Sequence, residues 1–234
     1  QLSRTFCYAH QLALAAAQLI SHNQHRDPII CISAATAEPT HVELCLQSPD
    51  GAVFAQACEA QHKEGRGYHE MAFLCRTWAQ AAPVELALLK RGIPNQVMGG
   101  SRVLERGEIK VLLSLIRLMA GDFAALDSGE QTQQLFDILR FCELKIRHEV
   151  LRGYASRIAV PDFSALHRSE DSLSIYQEKR LQSLAGVLDQ LLVEKSVGRG
   201  LRRFVSELDL LTAMRDNALN REDGENRAAT VTAF

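Results

Sequence analysis

The chain has 234 residues, a formal net charge of −2, 47% hydrophobic residues and 23% charged ones. That is enough apolar material for one large domain or two small ones, and the near-balance of charge excludes a generally basic nucleic-acid binder, so any affinity for DNA has to come from a local patch. The six cysteines, at 7, 31, 45, 58, 75 and 142, contain no CxxC pair and lie mostly in apolar surroundings; they read as buried reduced thiols of a cytoplasmic protein, not as a disulfide framework or a zinc ribbon.

In chain order, residues 1–23 read as a short strand entering a helix whose buried stripe is Leu12, Ala16, Leu19 and Ile20. Asp27-Pro28 ends that segment. Strands are predicted over 29–33 and 42–47, then a turn at Ser48-Pro49-Asp50-Gly51. Val53 to Lys63 is helical by pattern, and the apolar run Met71 to Cys75 reads as a buried parallel strand. Pro83 to Lys90 is a helix stopped by Gly92 and Pro94. Alternation of strand and helix predicts a parallel sheet with crossover helices.

The most informative stretch runs from Gly92 to Gly121. Ile93 to Met98 is long enough for a strand, and Gly99-Gly100 forces a reversal because paired glycines accept positive φ. A helix follows, with Glu105 and Glu108 near its positive end and Ile109, Leu112, Leu113 and Ile116 at helical spacing. Arg102, Arg106 and Lys110 are each four apart, and Arg117 returns to the same side. These cations either solvate the open face of a core helix or form a basic stripe beside a glycine turn that suits a phosphate backbone. From Asp127 to Phe234 the segments are long and amphipathic with no strand: Gln131 to Glu143, a continuous helical stretch from Leu139 to Ile158, then Ile175 to Val197 and Leu201 to Ala218 joined at Gly198-Arg199-Gly200. The boundary between the halves is expected near Gly121 to Gly129.

The string GG-x-R-x-x-ER-x-EIK, preceded by a hydrophobic strand and followed by LLSLIRL, resembles the second motor domain of UvrD/Rep-type DNA helicases of superfamily 1. Met71 to Gln80 is similar to the family's strand-plus-turn segment, with Arg76 and Gln80 matching and Trp78 where an asparagine is more usual. The N-terminal segment resembles the Asn-Tyr-Arg-Ser nucleotide motif, in the register set by Leu19-Ile20-Ser21-His22-Asn23. Phe6 then stands where the family tyrosine stacks on adenine and keeps a π face for it. Cys7 stands where an arginine reaches the γ-phosphate, and a thiol supplies neither its charge nor its bidentate fork. Glu222 to Arg227 is similar to an acidic, glycine-containing turn of the family's inserted helical subdomain, whereas that subdomain's Gly-Ile-Gly hairpin is not found.

The resemblance implies an α/β fold: a partial RecA-like parallel sheet with helices over 1–121, the first part of motor domain 2A, followed by an all-α subdomain over 122–234, the truncated 2B insertion. It implies a parent that is an ATP-dependent 3′–5′ helicase, with ATP and Mg2+ as its cofactors, single-stranded DNA touched by Arg102, Arg106, Lys110 and the Gly99-Gly100 turn, and the remaining helicase domains and possible repair proteins as partners. Starting at Gln1 without methionine and stopping at Phe234 within a helical pattern, the chain reads as an excised fragment. It contains no Gly-x4-Gly-Lys-Ser/Thr loop, so no cofactor and no catalysis are expected of the fragment itself. No signal peptide or bilayer-spanning run occurs, and His22 and His25 lack a third ligand nearby. A helicase-like scaffold without ATPase activity, favoured by Cys7, and a protein-interaction module remain the alternatives.

Overall fold

The computed structural model describes residues 4–6, 8–25, 30, 32–34, 40–42, 51–168 and 173–234. The chain divides into two compact units, Gln1–Leu46 and Gln47–Phe234.

In the first unit, β1 (Arg4–Thr5) pairs in parallel with β2 (Ile32–Ser33), and α1 (His10–Ser21) connects them. The Ser33 hydroxyl donates to the Tyr8 carbonyl at 2.7 Å, and the Ala9 N–H donates to Thr40 Oγ1 at 2.9 Å at the start of α1. Helix α1 buries Ala13, with Leu12 and Ala17 half-buried, while Ala16, Leu19 and Ile20 of the expected stripe are exposed.

The second unit is helical: α2 (Ala52–Lys63), α3 (Trp78–Lys90), α4 (Gly107–Ala120), α5 (Ser128–Phe141), α6 (His148–Arg157), α7 (Ile175–Val193), α8 (Val197–Glu207), α9 (Leu210–Asp216) and α10 (Arg221–Ala233). Caps set several of these boundaries. Asp127 accepts from the Glu130 N–H at 2.8 Å to start α5, Ser174 and Gln177 form a capping box on α7, and Asn220 accepts from the Asp223 N–H at 2.8 Å to start α10. Gly121, at φ +79°, closes α4 in the left-handed conformation that helices use to stop. A large core joins Ile109, Leu112 and Leu115 of α4 to Leu135 and Leu139 of α5, Tyr154 of α6, Leu184 and Leu188 of α7, and Phe204 of α8. A smaller cluster packs Ala55 and Cys58 of α2 against Val84 and Leu88 of α3 and against Ile93.

The expected α/β fold with a RecA-like parallel sheet is overturned. Among the described residues the one strand ladder is the two-residue β1–β2 pair, a single antiparallel bridge joins Ala159 to Asp162, and the remaining regular structure is helical. Of the predicted strands, 29–33 contributes Ile32–Ser33, and most of 42–47 lies outside the described residues. The apolar run at 71–75 is extended but unpaired: Met71 and Phe73 turn inward, Phe73 packing on Phe54 of α2 with ring centroids 4.9 Å apart, and Leu74 is 91% exposed. Segment 93–98 alternates in the same way from buried Ile93 to Met98, again without a ladder. An extended segment that packs one face on helices carries the same short apolar run as a buried strand, so composition does not separate the two. The local periodicity is right; the lateral hydrogen bonds are what is missing.

The helical region also departs from expectation in four places. The predicted helix from Leu201 to Ala218 is broken at Leu208-Asp209, where Asp209 (φ 48°) is left-handed and separates α8 from α9. The predicted continuous helix from Leu139 to Ile158 is broken at residues 142–147, where Glu143 (φ 49°) and Lys145 (φ 55°) are left-handed and Leu144 and Ile146 point inward. The expected acidic turn at 222–227 lies inside α10. Gly198-Arg199-Gly200, expected as a joint, forms the first turn of α8.

Candidate nucleic-acid interface

The glycine turn needs both of its glycines, for different reasons. Gly99 sits at φ +84°, where an L-residue is strained, and a Cβ on Gly100 would lie 2.4 to 2.8 Å from the ring carbons of Trp78. After the turn Val103 is buried and its N–H donates to Glu85 Oε2 of α3 at 2.9 Å. This plug and clamp hold the 3-10 turn Val103–Glu105 and leave Arg102, immediately before it, exposed.

The four cations of the stripe separate in space. Arg106 is half-buried: its guanidinium lies 5.9 Å from the Trp78 ring centroid and donates to Thr230 Oγ1 of α10 at 2.7 Å. It ties α4 to α3 and α10 and is already engaged. Lys110 and Arg117 are exposed and line an open cleft of about 910 Å³ between α4, α5, the 142–147 turn and α10. Carboxylates share that cleft; Asp137 and Asp223 line it, and Glu143 is paired with Arg227 at 3.2 Å. Its field is therefore mixed and not uniformly positive. Arg102 and Lys110 carry no ion pair among the described residues. Glu105 is exposed and Glu108 half-buried, neither engaging the stripe in an ion pair.

Arg76 is exposed, and its backbone N–H donates to Gln80 Oε1 at 3.1 Å, so Gln80 serves the local bend before α3. The N-terminus of α3 is further capped across the fold by Asn226 of α10, whose Oδ1 accepts from the Ala79 N–H at 2.8 Å. In the first unit Phe6 is 73% exposed and so has a free ring face, while Cys7 lies outside the described residues.

Sequence reasoning passed over Glu85, Trp78 and the Asn226–Thr230 pair. Glu85 had a signal: a carboxylate on the apolar face of PVELALLK. Trp78 had only its departure from the family pattern, and nothing in the sequence marks residues 226 and 230 as partners of positions more than a hundred residues away. Among the described residues no group of three or more His, Cys, Asp or Glu could hold a metal ion. No helix among them is long and apolar enough to cross a membrane.

The family pattern of the UvrD-like helicase C-terminal domain matches residues 9–133, more than half of the chain and the whole of the Gly99 turn and α4. The chain belongs to that family. The ATP-dependent DNA helicase PcrA of Staphylococcus epidermidis is 31% identical over 108 residues, and PcrA of Staphylococcus aureus is 34% identical over 108 residues. Each alignment covers 45% of this chain and 15% of the relative, so this UvrD-like chain spans only a small part of the proteins it matches.

Proposed function

We propose that this UvrD-like chain is part of an ATP-dependent helicase that moves 3′ to 5′ along single-stranded DNA in the cytoplasm. In this reading residues 1–121 come from motor domain 2A and 122–234 from the helical 2B insertion, and the DNA is held against the Gly99-Gly100 turn by Arg102 and Lys110. The observation that carries it is Arg102, exposed and without an ion-pair partner among the described residues, on a turn clamped by Glu85 and Val103, with Lys110 likewise exposed and unpaired in the first turn of α4. Arg106 acts behind them, positioning Trp78 and α10. ATP and Mg2+ belong to the whole protein; of the residues in this chain, Phe6 would stack on the adenine, and the ATP supplies the energy for closure of the motor domains. The chain alone hydrolyses no ATP. Other domains of the same protein, and repair proteins, are its partners.

Arg102→Glu tests the reading. Single-strand affinity should fall, and the slope of log K against log salt should shrink by roughly 0.7 for each phosphate no longer neutralised. A folded variant with unchanged affinity and slope overturns it and returns these cations to the role of a solvated face.

Cys7 supports a second reading, a DNA-binding scaffold of helicase descent that no longer uses ATP, because a thiol stands where the family pattern has an arginine. The longer protein's ATPase rate, with and without Cys7→Arg, separates the two. In a live motor the arginine raises turnover, and in a scaffold it changes nothing.

A further inference from the structure

Arg106 belongs to the basic stripe by position, yet the proposed single-strand site leaves it out, and its surroundings are unusual for a guanidinium. The residue is half-buried, but no carboxylate pairs with it among the described residues. Its neighbours are neutral: the Trp78 ring, with the centroid 5.9 Å away, and Thr230 Oγ1, which accepts from it at 2.7 Å. Charges withdrawn from water are normally matched by an opposite charge. This one stays unneutralised. Thr230 is oriented to hold it, because the threonine is fully buried and its own hydroxyl proton goes to the Asn226 carbonyl at 2.8 Å, leaving the oxygen free to accept.

Thr230 sits on α10, a helix held mainly by polar contacts. Val231 is the one α10 residue in the large apolar core, and the other buried positions are the small residues Gly224, Ala228 and Thr230. The fastenings are side-chain bonds. Asn226 accepts from the Ala79 N–H at 2.8 Å, Arg227 pairs with Glu143 at 3.2 Å, and Glu225 pairs with Arg215 at 3.1 Å in an exposed contact. Exposed ion pairs add little, and an element with few buried apolar contacts lies at the end of the stability range that opens locally. Arg106 itself is the N-cap of α4, one turn before Lys110. Residues four apart share a helix face, so a released Arg106 faces the same way as Lys110.

We infer that α10 is a latch on the single-strand site: Thr230 holds Arg106 back, and release of α10 delivers Arg106 to the strand as a further phosphate contact beside Arg102 and Lys110. The inference rests on the proposed reading of the Gly99-Gly100 turn as a single-strand site, and it names how that site is regulated. A guanidinium–phosphate contact is ionic on both sides and can be bidentate, so it is stronger than a bond to a neutral hydroxyl. The Trp78 ring, at 5.9 Å, lies at the limit of an effective cation–π contact and does not hold the guanidinium alone. Thr230 therefore decides where Arg106 goes. The coupling is reciprocal: release of α10 strengthens strand binding, and a strand bound through Arg106 favours the released helix.

The test loosens the latch from either end. Thr230→Val removes the acceptor for Arg106, and Asn226→Ala removes the tie between α10 and α3; each is made alone and combined with Arg106→Met, with Arg102→Glu as the control. Anisotropy of a labelled oligo-dT is followed across a salt series after circular dichroism has shown the variants folded. Thr230→Val and Asn226→Ala should each bind several-fold more tightly than the parent at low salt, with a slope steeper by roughly 0.7 for the one phosphate gained. Adding Arg106→Met should abolish both gains. Affinity and slope unchanged in both single variants, with binding weakened in Arg102→Glu, overturns the latch and leaves the single-strand reading standing. A gain that survives Arg106→Met also overturns the latch, since the extra contact is then made by another residue. A gain that depends on Arg106, with Arg102→Glu indistinguishable from the parent, supports the latch and overturns the assignment of Arg102 to the strand.

Discussion

Glu85 and Val103 are joined by a buried hydrogen bond of 2.9 Å, from the Val103 N–H to Oε2, while the other carboxylate oxygen of Glu85 is buried without a partner among the described residues. Glu85 is only 5% exposed, so the carboxylate has given up water for a single donor. Nature tolerates such a group where it holds something in place, and what it holds is the turn that carries Arg102. Glu85→Ala leaves the Val103 N–H buried and orphaned, a loss of about 1–3 kcal/mol, and adds a cavity. Glu85→Gln keeps an acceptor for that N–H and should stay within about 1 kcal/mol of the parent, as for a hydrogen bond whose partners are both retained. Denaturant melts of the two variants check this, and an alanine variant as stable as the parent removes Glu85 from its clamping role.

Arg106 offers a direct optical measurement, because Trp78 is the one tryptophan in the chain. Arg106→Met removes the cation beside the indole and the bond to Thr230. The emission of Trp78 should shift, and stability should fall by about 1–3 kcal/mol, the range for a charged hydrogen bond with a weak cation–π contact added. Unchanged emission together with a smaller salt slope for single-strand binding would place Arg106 on the phosphates after all.

Part of this architecture was legible in the sequence, and the illegible parts share a cause. The helix over 107–120 announces itself because Ile109, Leu112, Leu113 and Ile116 fall at helical spacing; Ile109 and Leu112 end in the core with Leu115 beside them, while Ile116 is half-buried and Leu113 is exposed. The Gly99-Gly100 reversal is legible for the same kind of reason, since positive φ selects glycine. The 142–147 break is not, because its left-handed residues are Glu143 and Lys145, and no glycine, proline or asparagine marks the site. The turn is held from outside: Arg180 of α7 donates to the Cys142 carbonyl at 3.3 Å, and Gln177 donates to the Lys145 carbonyl. Gly198-Arg199-Gly200 misleads in the opposite sense. Its glycines look like a joint, but Gly200 is there to let α8 approach Met119. The sheet fails as an expectation because apolar alternation at 71–75 reports which face is covered, and says nothing of whether a neighbouring backbone supplies hydrogen bonds. In the site, Arg102 and Lys110 stand open as their spacing suggests, whereas Arg106 is withdrawn by Trp78 and Thr230, contacts no local pattern encodes.

Two glycines predict opposite signs for the same substitution. Gly186 lies inside α7 with nothing within 4 Å of the place a Cβ would occupy, so Gly186→Ala trades backbone entropy for helix propensity and should stabilise by about 0.5–1 kcal/mol. Gly224 lies in the first turn of α10, where a Cβ would sit 2.9 Å from Arg215 Cα and 3.1 Å from the Met214 carbonyl. Backbone cannot rotate away as a side-chain tip can, so Gly224→Ala should push α10 off α9 and cost about 1–3 kcal/mol, the range for overpacking. Since α10 supplies Asn226 to α3 and Thr230 to Arg106, the Gly224 variant should also move Trp78 emission. Equal melting temperatures for the two variants would contradict the α9–α10 packing.

Cys142 gives a pH dependence with a defined sign. It is fully buried at the end of α5, its thiol donating to the Ile138 carbonyl at 3.2 Å, and burial pushes its ionisation far above the ordinary thiol range; Arg180 pulls weakly the other way and Glu143 reinforces the shift. The native thiol therefore keeps its proton at pH values where the unfolded thiol, free in water, loses it above about 8.5. The unfolded state then binds fewer protons than the native one, so this contribution is intact below that value and stability falls as pH rises beyond it, by about 1.4 kcal/mol per pH unit for one such group. Burial raises Cys58 in the same direction, so the contribution of Cys142 has to be read as a difference between parent and Cys142→Ala. The alanine variant is less stable at pH 7, and its deficit should narrow between about pH 8.5 and 10 as the parent loses what the variant never had. Maleimide labelling of the native chain supplies the companion measurement: Cys75 is exposed and should react, and Cys142 should not until the protein is unfolded. A stability gap that stays constant across that alkaline range, or rapid native labelling at Cys142, would show that this thiol meets water in the folded chain.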